Sequence, residues 1–379
     1  MTKEKIFCAF LLFGQSFLLF GQQKIGFKTG KIPLILNTQT HLFLAGNFNN
    51  WNPADTAWEL KKDTAGSYQL FKNIMAGSYN FKITRGSWNS VECSINGAPI
   101  ENRTLSVNAD SSIVLDIAAW QDGFKSAEKV HTNGPNVFIV SENFNIPQLG
   151  RERRIWVYLP ANYKISGKKY PVIYMQDGQN LFDNFTAAYG EWGVDKMLDK
   201  LQPNEACIVV GIDHGGDNRI TEYDPYDSKY GKGRGDDYAD FLAKTLKPYI
   251  DQHYYTKPSP EFTTIAGSSM GGLISMYTVL KYPEVFANAG IFSPSFWIAP
   301  EIYTYAEKLK IPKKSRFYFV CGDAESKTEV AEMQKMADII HTKGFNNNNA
   351  SVTVIKDAVH NEKQWTADFL PFYKWLMRK

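Results

Sequence analysis

Two adjacent serines in "IAGSSMGGLISMY", residues 265–277, lie in a glycine-rich turn between an apolar run and a helical pattern. A serine hydroxyl is a poor nucleophile until a sharp turn exposes it and a neighbouring base takes its proton. The pattern Gly-x-Ser-x-Gly fits one register here, Gly267-Ser268-Ser269-Met270-Gly271, so Ser269 is the candidate nucleophile and Ser268 a flanking residue. A side chain at either glycine would crowd the turn. The following helix carries Leu273, Ile274, Tyr277 and Leu280 on one side. Its first amides point at developing negative charge, with the Met270 amide as one oxyanion donor. The chemistry this predicts is acyl transfer through a serine.

Such a serine needs a base, and the base needs an acid to orient it. Of six histidines, His360 in "DAVHNEKQW" is the one that follows a final strand-like run, "SVTVI", as the order nucleophile, acid, histidine requires. His214 in "GIDHGG" is the competing base, but it precedes Ser269 and reads better as a pocket wall. His41 and His131 fall outside the domain, and His253 and His341 lie in or beside helices. The acid belongs on the loop after "RFYFV", where "CGDAES" offers Asp323 and Glu325, which spacing does not separate. Asp357 would have to turn back on its own loop to reach the imidazole. A second oxyanion amide is expected after the strand in "YPVIYMQDGQNLFD", from Gln179 or its neighbour Gly178, with Asp177 shaping that loop and the pocket. Loop aromatics Trp192, Trp297 and Trp365 are candidates to stack on sugar or phenolic rings.

These residues need a scaffold, and the second half of the chain supplies one. Apolar strands at 155–159, 171–175, 207–212, 262–266, 316–321 and 351–355 alternate with amphipathic stretches such as Tyr238, Phe241, Leu242, Leu246 and Tyr249. That alternation predicts a mostly parallel sheet covered on both faces, with ligands at the carboxyl ends of the strands. Residues 24–120 differ: "IPLIL", "HLFLAG", "SYQLF", "SYNFKI", "TLSV" and "SIVLDI" recur between turn residues, the pattern of a small Ig-like β-sandwich. Residues 121–136 read as a linker, and 137–379 as the α/β domain. Residues 1–23 combine Lys3 and Lys5 with an apolar stretch broken at Gly14, Gln15 and Ser16, the pattern of a cleaved export signal. Export to the periplasm or the extracellular space is therefore expected, with no membrane attachment after cleavage.

With 42 basic and 39 acidic residues and no long block of one sign, the chain offers no footprint for nucleic acid. Beyond the signal, Cys93, Cys207 and Cys321 are odd in number and widely spaced, reading as core thiols instead of a disulfide framework. No His/Cys or His/Glu pair has metal-ligand spacing, so neither metal nor cofactor is expected.

The second domain resembles the esterase D or "putative esterase" family of α/β-hydrolases through "RRIWVYLPANY", "YMQDGQNLFD", "EWGVDKMLDKL", "IVVGIDHGGDNRITEY", "GSSMGG", "CGDAE" and "HNEKQW". That family includes feruloyl and acetyl xylan esterases, enterochelin esterases, S-formylglutathione hydrolases and mycolyltransferases. The resemblance implies Ser269, His360 and an acid after "CG" as a triad, and Gln179 with Met270 as the oxyanion hole. The spacing Gly-x-x-Glu favours Glu325 over Asp323. The first domain resembles the glycogen-binding modules of AMP-activated protein kinase β-subunits and starch-branching enzymes, through "FLAGNFNNWNP" and "SYNFKITRGSW". By that resemblance Trp51, Lys82 and Trp88 contact glucose rings, although "NSVECSINGAPIENR" departs from the glucan-binding pattern. Together with the expected export, these resemblances imply a serine esterase acting on feruloyl or acetyl esters of plant-type polysaccharide. A siderophore trilactone esterase, a non-catalytic glycan-binding protein and an acyltransferase are the alternatives.

Overall fold

The computed structural model describes residues 22–33, 40–49, 51–124 and 129–378. The expected export signal lies outside them as far as residue 21, Cys8 included, and so does most of the expected strand "IPLIL". The chain forms two compact units, Met1–Glu128 and Lys129–Lys379.

The first unit is all β. Its strands are β1 (Gln22–Thr29), β2 (Leu42–Gly46), β3 (Glu59–Lys62), β4 (Tyr68–Met75), β5 (Gly77–Thr84), β6 (Glu92–Cys93), β7 (Arg103–Val107), β8 (Ser111–Leu115) and β9 (Ala119–Trp120). Seven of them join in the order β7-β5-β2-β3-β4-β1-β8, and β6 pairs separately with β9. The first half of β3 pairs with β2 and its second half with β4, so the sheet folds over at β3. Period-two alternation then buries Phe81 and Ile83 of β5 against Ile25 and Phe27 of β1, with the Phe27 and Phe81 rings edge to face at 6.0 Å. β1 pairs antiparallel with β4 on one edge and parallel with β8 on the other.

The second unit carries an eight-stranded sheet: β10 (Val137–Ile146), β11 (Arg151–Tyr158), β12 (Val172–Gln176), β13 (Ile208–Ile212), β14 (Thr263–Ser268), β15 (Asn288–Phe292), β16 (Arg316–Gly322) and β17 (Ala350–Ile355). The order is β10-β11-β13-β12-β14-β15-β16-β17. The first two pairings are antiparallel and the others parallel. Both faces are covered: Val172 and Tyr174 of β12 point into one core cluster, Ile173 and Met175 into the other. β10 and β15 are additions to the expected strand set. Residues 129–136, inside the expected linker, are hydrogen-bonded into this unit, with Asp183 taking His131 Nδ1 at 2.7 Å and the Thr132 amide at 2.9 Å.

The helical stretch over 235–253 is interrupted by a π-turn, Leu242–Leu246. Pro248 follows it, lacks an amide donor and would clash with the carbonyl four residues back, so the register widens just before it. Cys93, Cys207 and Cys321 are buried and unbridged, and burial pushes the Cys207 and Cys321 thiols up to about 12. Among the described residues no helix is long and apolar enough to cross a membrane.

Candidate active site

β14 ends at Ser268, and helix Met270–Lys281 starts two residues later, leaving Ser269 alone at the corner with φ 59° and ψ −122°. A non-glycine residue in that region costs about 1–3 kcal/mol, so its surroundings must hold it there. They do: the Ser269 amide donates to Phe292 O on β15 at 2.9 Å, and the Ser269 carbonyl accepts from the amides of Gly272, Leu273 and Ser295 at 3.0–3.1 Å. The flanking glycines have steric causes. A Cβ on Gly267 would lie 2.8 Å from the Gly271 carbonyl, and one on Gly271 would lie 3.1 Å from Gln176 Cβ and 3.2 Å from Asp177 Oδ2. Ser268 is buried. The helix is buried on every side up to Lys281, where the sequence suggested a single apolar face.

The loops after β16 and β17 bring Glu325 and His360 together, with His360 Nδ1 2.7 Å from Glu325 Oε2. The other carboxylate oxygen accepts from the Ser293 hydroxyl at 2.7 Å and the Gly322 amide at 2.6 Å. With Nδ1 donating to the carboxylate, the imidazole keeps Nε2 as its proton acceptor. Asp323 is spent elsewhere: its Oδ1 accepts the Asp357 amide at 2.6 Å, joining the two loops at a residue with φ 58°. Of the two carboxylates, Glu325 is the one paired with His360. The Ser269 hydroxyl pairs with Ser295 Oγ at 3.1 Å. His214 is engaged with its own turn, where Nδ1 accepts the Gly216 amide at 2.9 Å, and its backbone amide donates to Gln179 Oε1 at 3.2 Å. Burial lowers its pKa.

The second side of the site follows β12. Asp177 adopts φ 58° and ψ 48° and leads into a short turn, Gly178–Asn180, that carries Gln179. A Cβ on Gly178 would lie 2.8 Å from Gly211 C and Ile212 N, so glycine lets this turn lie against β13. β12 and β14 are neighbours, which brings the Gln179 turn and the Met270 amide to the same sheet end. Met270 is the first residue of its helix, and its amide has no intrahelical acceptor.

Arg219 escaped the sequence reading. Its Nε and one terminal nitrogen donate to the two Asp177 oxygens at 2.7 and 2.8 Å, and that nitrogen lies 3.5 Å from Ser268 O. Burial works against its charge, and the Asp177 carboxylate outweighs it, holding the guanidinium pKa above the usual value. Two further carboxyls of this unit are held above the usual range. Burial raises Glu362, with Asp177 adding to the effect. Glu329 is buried with Oε1 unpaired, and burial, then the charges of Glu325 and Glu332, push it up to about 8.

The aromatic candidates divide. Trp192 is core, packed edge to face on Phe292 at 5.3 Å, so no face is left for a ligand. Trp365 is also buried, donating its indole N–H to Ser293 Oγ at 2.9 Å and standing edge to face with His360 at 4.9 Å. Trp297 is 48% exposed, on the turn Phe296–Ile298 directly after Ser295. In the first unit Trp51 and Trp88 come together with ring centroids 6.3 Å apart, Trp51 at φ 59°. Lys82 does not present a free ammonium: its Nζ donates to the Ile100 carbonyl, and burial lowers its pKa.

The "Putative esterase" family model matches residues 146–376, and the model of the pullulanase X25 domain matches residues 33–119. The protein YbbA of Bacillus subtilis is 28% identical over 242 residues, 60% of this chain and 93% of its own. The endo-1,4-beta-xylanase/feruloyl esterase of Xylanibacter ruminicola is 28% identical over 208 residues, 52% of this chain but only 26% of that longer protein. Among solved structures, the enterobactin esterase of Shigella flexneri shares the fold with TM-score 0.51 and 14% identity, covering 89% of this chain and 88% of that one. With the family model spanning more than half of it, the chain belongs to the Putative esterase family and is a serine esterase of the α/β-hydrolase fold, preceded by an all-β domain that the pullulanase X25 model matches.

Proposed function

We propose that the protein is an exported esterase that removes feruloyl or acetyl groups from plant-type polysaccharide, with Ser269, His360 and Glu325 as its triad. The observation that carries the triad is the 2.7 Å pair of Glu325 and His360 at the same strand ends as the strained Ser269. Ser269 Oγ attacks the ester carbonyl carbon while His360 Nε2 takes its proton, and Glu325 stabilises the imidazolium. The amides of Met270 and Gln179 receive the tetrahedral oxyanion, a donor in that role being worth about 3 kcal/mol of barrier. Collapse expels the sugar alcohol, which His360 protonates. Water then attacks the acyl-enzyme by the same route and releases the carboxylic acid.

Support for a carbohydrate substrate comes from the first unit, with its match to the pullulanase X25 domain and its paired Trp51 and Trp88. The feruloyl esterase named among the relatives supports an aromatic acyl group, for which Trp297 offers an exposed face beside the nucleophile's partner Ser295. Rates on methyl ferulate, acetylated xylan and enterobactin, with Ser269→Ala as control, test the proposal. A preference for either of the first two over the trilactone is expected, and the reverse preference refutes the polysaccharide reading.

A further inference from the structure

β15 runs into Ser293-Pro294-Ser295, and the two serines touch opposite ends of the proposed triad. Ser293 has φ 43°, and its amide is tied to Val320 O on β16 at 2.7 Å. Its hydroxyl accepts the Trp365 indole N–H at 2.9 Å and lies 2.7 Å from Glu325 Oε1. An indole nitrogen only donates, so the single Ser293 proton is committed to the carboxylate. Together with the Gly322 amide it pins Oε1 and leaves Oε2 facing His360. Ser295 is buried, its amide donates to Ser269 O at 3.1 Å, and its Oγ lies 3.1 Å from Ser269 Oγ. If the Ser269 proton is to reach His360, Ser295 must be the donor in that pair. Between the two serines, the proline ring fixes φ, and Pro294 Cα packs where a Cβ on Gly272 would approach it to 3.3 Å.

From this geometry we infer that Ser293-Pro294-Ser295 is a positioning strap, one hydroxyl aiming the nucleophile and the other aiming the acid. The inference rests on the triad proposed above. Ser295 donates to Ser269 Oγ and keeps donating as charge gathers on that oxygen, while Ser293 fixes the carboxylate that fixes the imidazole. The strap itself gives up no proton.

The test uses the full chain and the variants Ser295→Ala, Ser295→Thr, Ser293→Ala, the double alanine variant and Ser269→Ala. Three quantities are read: kcat and KM on p-nitrophenyl acetate, the second-order rate of inactivation by a fluorophosphonate, and Tm. Ser295→Ala is expected to lower kcat and the inactivation rate about tenfold with KM unchanged, the weight of one hydrogen bond to a group gaining charge. Ser295→Thr restores both to within about threefold of wild type, because the hydroxyl returns. Ser293→Ala also lowers kcat about tenfold, and the double variant loses less than the product of the single losses, because groups that act as a unit are not additive. The strap is overturned if Ser295→Ala keeps the wild-type inactivation rate, if Ser295→Thr is as impaired as Ser295→Ala, or if the double variant loses the full product. An active Ser269→Ala protein overturns the triad instead. A dead Ser269→Ala protein beside wild-type rates in the strap variants overturns the strap alone.

Discussion

Replacing Glu325 by Gln preserves the side chain's shape and reverses one hydrogen bond. Oε1 of Glu325 accepts from the Gly322 amide at 2.6 Å, and that amide can only donate, so the carboxamide oxygen must take this position. Its NH2 then occupies the place of Oε2, 2.7 Å from His360 Nδ1. An NH2 group facing Nδ1 suits only the tautomer protonated at Nε2, the nitrogen that has to accept the Ser269 proton. A wrong tautomer in this arrangement costs about 10⁴ in kcat, or about 5.4 kcal/mol. Asp323→Asn offers the contrast. Its side chain keeps one oxygen for the Asp357 amide and touches no reacting group, so kcat changes by less than about threefold. Steady-state and burst kinetics on p-nitrophenyl acetate, with Tm as the check on folding, measure both variants. If Glu325→Gln retains more than a tenth of wild-type kcat, or Asp323→Asn is the more damaged of the two, the acid has been misassigned.

Arg219→Met leaves the Asp177 carboxylate buried without its cation, and urea unfolding should register a loss of about 3–5 kcal/mol, much of it recovered in Asp177→Asn/Arg219→Met. A loss below about 1 kcal/mol would contradict the buried-pair description. Glu329 holds its proton more tightly in the folded state, where burial raises its pKa to about 8, than in the unfolded chain, where an ordinary glutamate sits at 4.5. Stability therefore falls as pH rises between those two values, and Glu329→Gln should flatten that fall, gaining on wild type by up to about 5 kcal/mol at pH 9 in urea titrations. Equal slopes for the two proteins would show that the carboxyl does not titrate there. Trp51→Ala/Trp88→Ala should abolish retardation by starch or xylan in affinity gels while leaving hydrolysis of p-nitrophenyl acetate unchanged, and unaltered retardation would remove the glycan role from this pair.

What the sequence disclosed was local or periodic. The elbow is legible because strand, turn and helix are consecutive, and the glycines at 267 and 271 answer to contacts within that turn and the neighbouring strand end. Parallel strands are legible as apolar runs, but β15, "NAGIF", carries Asn and Gly and escapes such a rule. Strand and turn patterns leave Asp323 and Glu325 equivalent; the Gly-x-x-Glu spacing of the resembling family points to Glu325, and the loop turns that side chain toward His360. Arg219, Ser293 and Ser295 went unnoticed because their partners are distant in sequence: Asp177 lies 42 residues from Arg219, Glu325 lies 32 from Ser293, and Ser269 lies 26 from Ser295. Tryptophan was the least informative residue type. Trp192 stands in the loop "AAYGEWG" and Trp297 in "SPSFWIAP", each with an aromatic neighbour, yet one is buried against Phe292 and the other half exposed.

The position of β1 between β4 and β8 bears on how the first unit assembles and fails. Its register with β8 joins residues about 86 positions apart, so the chain must close a long loop before Ile25 and Phe27 are fully enclosed. Nucleation is easier among β2 to β5, whose pairings are closer in sequence, and β1 docks late. A chain cut short before β8, or a proteolytic nick that frees it, leaves β1 with an unpaired parallel edge. Such an edge is a template for another strand, and self-association through it is the characteristic hazard of this domain during synthesis and after damage.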